Sequence, residues 1–102
     1  MKGRFLTAKA LEQFKQHLIS EEKSVNTIEK YLRDVRSLAA FLNGCEVTKE
    51  QVIAYKQKLI DAGYAVRSIN SMLASINSLL SFLGWYDCKV KAIKQQRQIF
   101  CS

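Results

Sequence analysis

Apolar positions in this chain recur at helical spacing, not at the alternation of a strand. Within Ser24–Leu42 (SVNTIEKYLRDVRSLAAFL), Val25, Ile28, Leu32, Val35, Ala39 and Leu42 fall on one side of a 3.6-residue period, and Asn26, Lys30, Arg33 and Ser37 fall opposite. A shift of 41 residues lays Ala65–Leu83 (AVRSINSMLASINSLLSFL) over this stretch. Val25 then meets Val66, Thr27 meets Ser68, Ile28 meets Ile69 and Leu32 meets Leu73; further on, Val35 meets Ile76, Ser37 meets Ser78, Leu38 meets Leu79, and Phe41-Leu42 meets Phe82-Leu83. Two copies are too few for a solenoid, so the repeat predicts a compact pair of helical hairpins, each closed by one of these long helices.

Local signals place the remaining elements. Thr7 stands as an N-cap between Leu6 and Leu11, which are spaced as a hydrophobic staple. The helix it opens is expected to reach about Glu22, with Leu11, Phe14, Leu18 and Ile19 inward. Glu21-Glu22-Lys23 makes a polar corner, Ser24 caps the second helix, and Asn43-Gly44 ends it with the glycine left-handed. Thr48 begins the third helix with Gln51 as the reciprocal half of a capping box and Val47/Val52 as a staple. Val52, Tyr55 and Leu59 face inward there, and Ala62-Gly63 stops the helix. Tyr64 and Ile69 are spaced to staple the fourth helix, whose cap position holds Ala65; Gly84 closes it, and Trp85 lies over the core. With no proline and little strand alternation, the fold class is all-α: a compact four-helix domain made of two hairpins over residues 1–86, then a basic tail or linker over 87–102.

Charge and composition narrow the partners. A chain of 102 residues is one small domain, and its net charge of +7 suits a polyanion. No apolar run is long enough for a membrane span, and no signal-peptide pattern opens the chain. Cys45, Cys88 and Cys101 are odd in number and lack Cys-x-x-Cys spacing, which reads as reduced thiols in a cytosolic protein. Between Ala62 and Tyr86 there is no acidic residue, and Arg67 is the sole charge. The fourth helix therefore offers a stripe of Arg67, Ser71, Ala74 and Ser78 flanked by Asn70, Asn77 and Ser81. Such a face suits close approach to a phosphate backbone, and equally suits packing against another helix. On the second helix, Glu29–Arg33 and Lys30–Asp34 pairs would leave a merely solvated surface. The helix starts are anion sites by construction: Lys23, Ser24, Asn26 and Thr27 surround one, Arg67 and Ser68 the other, although ordinary capping also accounts for Ser24.

The run Ser24-Val25-Asn26-Thr27-Ile28 … Tyr31-Leu32-Arg33-Asp34-Val35 … Leu38 … Phe41-Leu42, with Ser68-Ile69-Asn70 … Leu73 … Ile76 … Leu79 … Phe82-Leu83-Gly84-Trp85 after it, resembles the N-terminal core-binding (SAM-like) domain of tyrosine recombinases, the phage and transposon integrases. The resemblance covers roughly Leu11 to Ile93. It implies a SAM-like module forming half of a clamp on recombination-site duplex DNA, with the second and fourth helices across the major groove. Carried over by position, DNA contacts are expected from Lys23, Ser24, Asn26, Thr27, Lys30, Arg33, Arg67, Ser68, Asn70 and Ser71. Lys89 and Lys91 are expected to add DNA contacts, and with Lys94 and Arg97 they resemble the linker to a catalytic domain; Ala65 departs from the serine or threonine usual at its position. The implied partners are double-stranded DNA and other recombinase protomers. The implied setting is the cytoplasm, for a bacterial or phage-encoded protein that joins the nucleoid when bound; the isolated piece is expected to be monomeric.

Catalysis is not expected from this piece, nor any cofactor or metal. Its one histidine, His17, stands in Leu18-Ile19-Ser20 context rather than H-x-x-R, and Tyr31, Tyr55, Tyr64 and Tyr86 have no base or oxyanion cluster nearby in sequence. Two other functions compete. A helix-turn-helix regulator would need a short recognition helix after a three- or four-residue turn, which neither hairpin offers. A helical protein-interaction domain would use the Ser/Ala-rich face of the fourth helix.

Overall fold

The computed structural model describes residues 3–93. Four α-helices follow one another, α1 Ala8–Ser20, α2 Val25–Leu42, α3 Lys49–Asp61 and α4 Val66–Leu83, and a 3₁₀ turn, Tyr86–Cys88, comes after them. Three of the helices begin as the side chains dictate. The Thr7, Ser24 and Thr48 hydroxyls accept from the N–H groups of Ala10 (3.1 Å), Thr27 (3.2 Å) and Gln51 (3.1 Å). Each such cap satisfies an orphan donor and stabilises its helix by about 1 kcal/mol. α4 starts at Ala65 with no side-chain cap. Among the described residues the Gln51 side chain makes no return bond to Thr48, so only half of the capping box forms. α1 stops at Ser20, short of the expected Glu22, because Glu22 takes a positive φ of 60° to turn the corner. After α2 it is Asn43 (φ 47°) that first goes left-handed, ahead of Gly44, a conformation asparagine tolerates better than other side-chain-bearing residues.

The internal repeat is wider than the two long helices. α1 and α3 begin and end 41 residues apart, as do α2 and α4, and so do the caps Thr7 and Thr48. Packing obeys the reciprocity of a two-fold axis, in which residue i of one copy meets j of the other and j meets i. Phe14 lies 5.7 Å from Phe82, ring centre to ring centre, and their counterparts Tyr55 and Phe41 lie 5.3 Å apart. Where α2 crosses α4, equivalent positions touch each other: Lys30 donates to the Ser71 carbonyl (3.3 Å), and Ser75 donates to Asp34 (2.7 Å).

The core divides in the same way. Phe14, Leu18, Leu32, Val35 and Leu79 form one buried cluster. Their counterparts Tyr55, Leu59, Leu73, Ile76 and Leu38 all lie in the other. The second cluster is larger: it also buries Leu42, Val47, Val52, Ile69 and Leu80, and Cys88 and Val90 join it, with Trp85 and Ile93 packed at its edge. Trp85 thus covers the core as expected. Two residues expected inward are not: Val25 is 69% exposed and Ile19 46%.

Residues 87–93, read from sequence as tail, pack along α3 and α4. Asn77 donates to the Val90 carbonyl (2.7 Å) and accepts from the Val90 N–H (3.0 Å); Asn70 does the same for Ile93 (3.0 and 2.7 Å). Lys49 and Lys56 donate to the carbonyls of Lys89 (2.7 Å) and Lys91 (2.8 Å) from the other side. The lead is tied down too, since Arg4 pairs with Asp87 (2.8 Å) and its carbonyl accepts from the Val47 N–H. Cys45 is an exposed free thiol and Cys88 a buried one; Lys94, Arg97 and Cys101 lie outside the described residues.

Candidate nucleic-acid interface

α2 and α4 cross where Lys30 and Asp34 meet Ser71 and Ser75, and one flank of the crossing opens as a shallow hollow of about 430 Å³. Arg33 enters it from α2, while Arg67, Ser68 and Ser71 enter from the first turns of α4, with Tyr64 as a wall. Arg33 and Arg67 are exposed, and neither has an acidic partner within 4.0 Å among the described residues. The expected Glu29–Arg33 pair is therefore not made. The start of α4 adjoins the same hollow, and Ala65 supplies no side-chain cap to its first N–H groups.

Lys30 behaves otherwise than its place on the polar stripe predicts. Its ammonium turns toward the crossing, bonding Asp34 (2.6 Å), the Ser75 hydroxyl (3.2 Å) and the Ser71 carbonyl (3.3 Å). Asp34 is 5% exposed and Ser75 0%. A carboxylate this buried is costly without a paired, hydrogen-bonded cation, and Lys30 is the residue within reach. The Lys30–Asp34 pair expected as a surface contact is therefore a partly buried brace between the hairpins. Among the described residues no buried side-chain nitrogen or oxygen lacks a partner.

Other expected contact residues separate into three places. Lys23, Ser24 and Asn26 are exposed at the start of α2, where the Ser24 and Thr27 hydroxyls bond each other (2.9 Å) as part of the cap. Under the two-fold, this start stands to the crossing as Tyr64, Ala65, Arg67 and Ser68 do on the other side. Asn70 lies away from the hollow, since both of its amide atoms hold Ile93. Lys89 and Lys91 run beside α3, with the Lys89 ammonium 5.8 Å from the centre of the Tyr86 ring. Sequence reasoning gave Tyr64 to a staple, yet it is half exposed beside Arg67. Its position just before an uncapped helix start was the available signal.

The residues weighed for chemistry have structural surroundings. His17 is half-buried with its ring 4.7 Å from that of Phe82. Tyr55 is buried, which pushes its hydroxyl pKa up, while Tyr86 is exposed. No helix among the described residues is long and apolar enough to cross a membrane.

Two crossed hairpins with their long second helices in contact define a four-helix SAM-like domain. Residues 11–86 match the family described as phage integrase, N-terminal SAM-like domain, and the chain belongs to that family. It is a family of tyrosine recombinases, in which this domain is a non-catalytic part of the integrase. No curated protein and no solved structure matches the chain.

Proposed function

We propose that this domain binds the duplex DNA of a recombination site through the flank on which α2 crosses α4. The observation that carries the reading is the convergence of Arg33 and Arg67, from separate hairpins, on one hollow whose only carboxylate, Asp34, is already neutralised by Lys30. Guanidinium groups there take backbone phosphates, while Ser68, Ser71 and the first N–H groups of α4 take further phosphate oxygens. Lys23, Ser24, Asn26 and Thr27 extend the contact along the track from the start of α2. Lys30 serves by bracing the crossing, and Lys89 and Lys91 by adding to the positive field that draws DNA in. The module works beside a catalytic domain and other recombinase protomers, in the cytoplasm of a bacterial cell.

Anisotropy titrations with a labelled duplex between about 50 and 200 mM salt test this reading. Affinity is expected to fall steeply with salt, and Arg33→Glu with Arg67→Glu to weaken binding at least about tenfold and to flatten the slope by roughly one unit per lost contact. Undiminished binding by both variants overturns it. The protein-interaction alternative draws less support, because its face is taken up within the chain: Ser75 is buried under α2, and Asn70 and Asn77 hold residues 90–93.

A further inference from the structure

The first hairpin carries an open groove of about 910 Å³ whose floor includes Ile19, Val25 and Ile28 and whose rim includes Lys15, Arg33 and Arg36. The two-fold that relates the hairpins sets this groove on the one between α3 and α4, with Lys15 falling on Lys56, Val25 on Val66, Glu29 on Asn70 and Arg36 on Asn77. That second groove is filled. Residues 89–93 lie in it without helical structure, with Val90 buried, Ile93 packed at the edge of the core, and their backbone held by Lys56, Asn70 and Asn77. Covering shows in the residues beneath. Val66 is half-buried where Val25 is 69% exposed, and Ile69 is 1% exposed where Ile28 is only half-buried.

One copy of the repeat thus displays the class of ligand that the other copy lacks. We propose that the α1–α2 groove binds an extended segment of a partner protein, bearing two apolar side chains three residues apart and acidic residues beside them. Lys15 and Arg36 stand where Lys56 and Asn77 stand and donate to the segment's carbonyls; Glu29 stands where Asn70 stands and accepts an N–H. The acidic flanks follow from charge. Lys15, Arg33 and Arg36 outnumber Glu29 on this rim, and none of the three cations is paired among the described residues. The chain's own segment, with Lys89 and Lys91 beside Val90, has the wrong sign, which argues against a second copy donating it.

A heteronuclear NMR titration of the labelled full chain tests the proposal with three synthetic peptides. They are Ser-Glu-Val-Glu-Ala-Ile-Glu, the same peptide with lysine for each glutamate, and the acidic peptide with serine for its valine and isoleucine. The acidic apolar peptide is expected to shift the amides of Ile19, Val25, Ile28 and Arg36 and to bind at least about tenfold tighter than either control, a difference of about 1.4 kcal/mol. Val25→Glu is expected to abolish those shifts, and Arg36→Glu to weaken binding at least about tenfold, with the helical circular dichroism of both unchanged. Equal binding of the acidic and basic peptides, shifts confined to the α3–α4 side, or no shift at about 1 mM peptide overturns it. So does a concentration-dependent mass that Val25→Glu removes, which would make a second copy the occupant. Duplex DNA shifting the same amides where the peptide does not would make the occupant nucleic acid, and would leave the DNA-binding reading standing while this one fell.

Discussion

The two hairpins have the same boundaries and opposite surfaces. At equivalent positions α2 carries Glu29, Lys30, Arg33, Asp34 and Arg36, whereas α4 carries Asn70, Ser71, Ala74, Ser75 and Asn77. The difference follows from what covers each helix. α4 is covered on two flanks, by α2 at the crossing and by residues 88–93 beyond it; α2 has the crossing but, among the described residues, no such segment. A side chain that must hold a peptide's N–H and C=O together needs a donor and an acceptor, which asparagine has and lysine, arginine and ionised glutamate lack. Where Lys30 and Asp34 enter the crossing, the facing residues must be small and able to bond both, and Ser75 accepts from one while donating to the other. The acid-free run from Ala62 to Tyr86 is thus mainly the mark of a helix enclosed on both sides, with only its first turns left for a phosphate.

Exchanging residues between the copies breaks this comparison most severely at the crossing. Ser75→Asp gives α4 the residue α2 has, placing two buried carboxylates on a single ammonium; a loss of about 3–5 kcal/mol is expected in urea unfolding, and a loss under about 1 kcal/mol would refute the brace. Next comes the filled groove. Asn77→Ala leaves the Val90 N–H and carbonyl without their partner at a buried residue, a cost of about 1–3 kcal/mol, with hydrogen exchange at the Val90 amide at least about tenfold faster. Unchanged exchange there would mean that the segment is held by burial alone.

Helix starts give a smaller and opposite pair of effects. Ser24→Ala should destabilise by about 0.5–2 kcal/mol, while Ala65→Ser, which gives α4 the cap of its counterpart, should stabilise by about 1 kcal/mol in thermal unfolding if its hydroxyl reaches Ser68. The smallest effect lies at Arg4–Asp87. The hydrogen bond from Arg4 holds the Asp87 carboxyl below its ordinary pKa, so the folded state binds that proton less readily than the unfolded one. Its contribution is present above the usual carboxylate range and fades as pH falls through the lowered value. Both groups are exposed, so an acid titration of Arg4→Gln should part from the parent only slightly, and less at high salt.

Helix number, three caps, the shared apolar positions of α2 and α4 from Ile28 and Ile69 onward, and the family could be read from the residues alone, because periodicity and capping act over one or two turns. The repeat was read from the apolar positions that α2 and α4 share, and the same shift also lays Phe14-Lys15-Gln16-His17-Leu18-Ile19 over Tyr55-Lys56-Gln57-Lys58-Leu59-Ile60 in α1 and α3. Its two-fold character was decided by the contacts of Phe14 with Phe82 and of Tyr55 with Phe41, which join residues far apart in the chain. Tertiary structure alone decided the destination of each polar side chain. Lys30 turned to Asp34 and Ser75, Asn70 turned to Ile93, and Arg33 and Arg67 stayed in solvent, although all four sit on polar stripes of the same kind. A stripe records that a face tolerates water; whether water, another helix or an extended segment lies against it depends on residues far away in the chain.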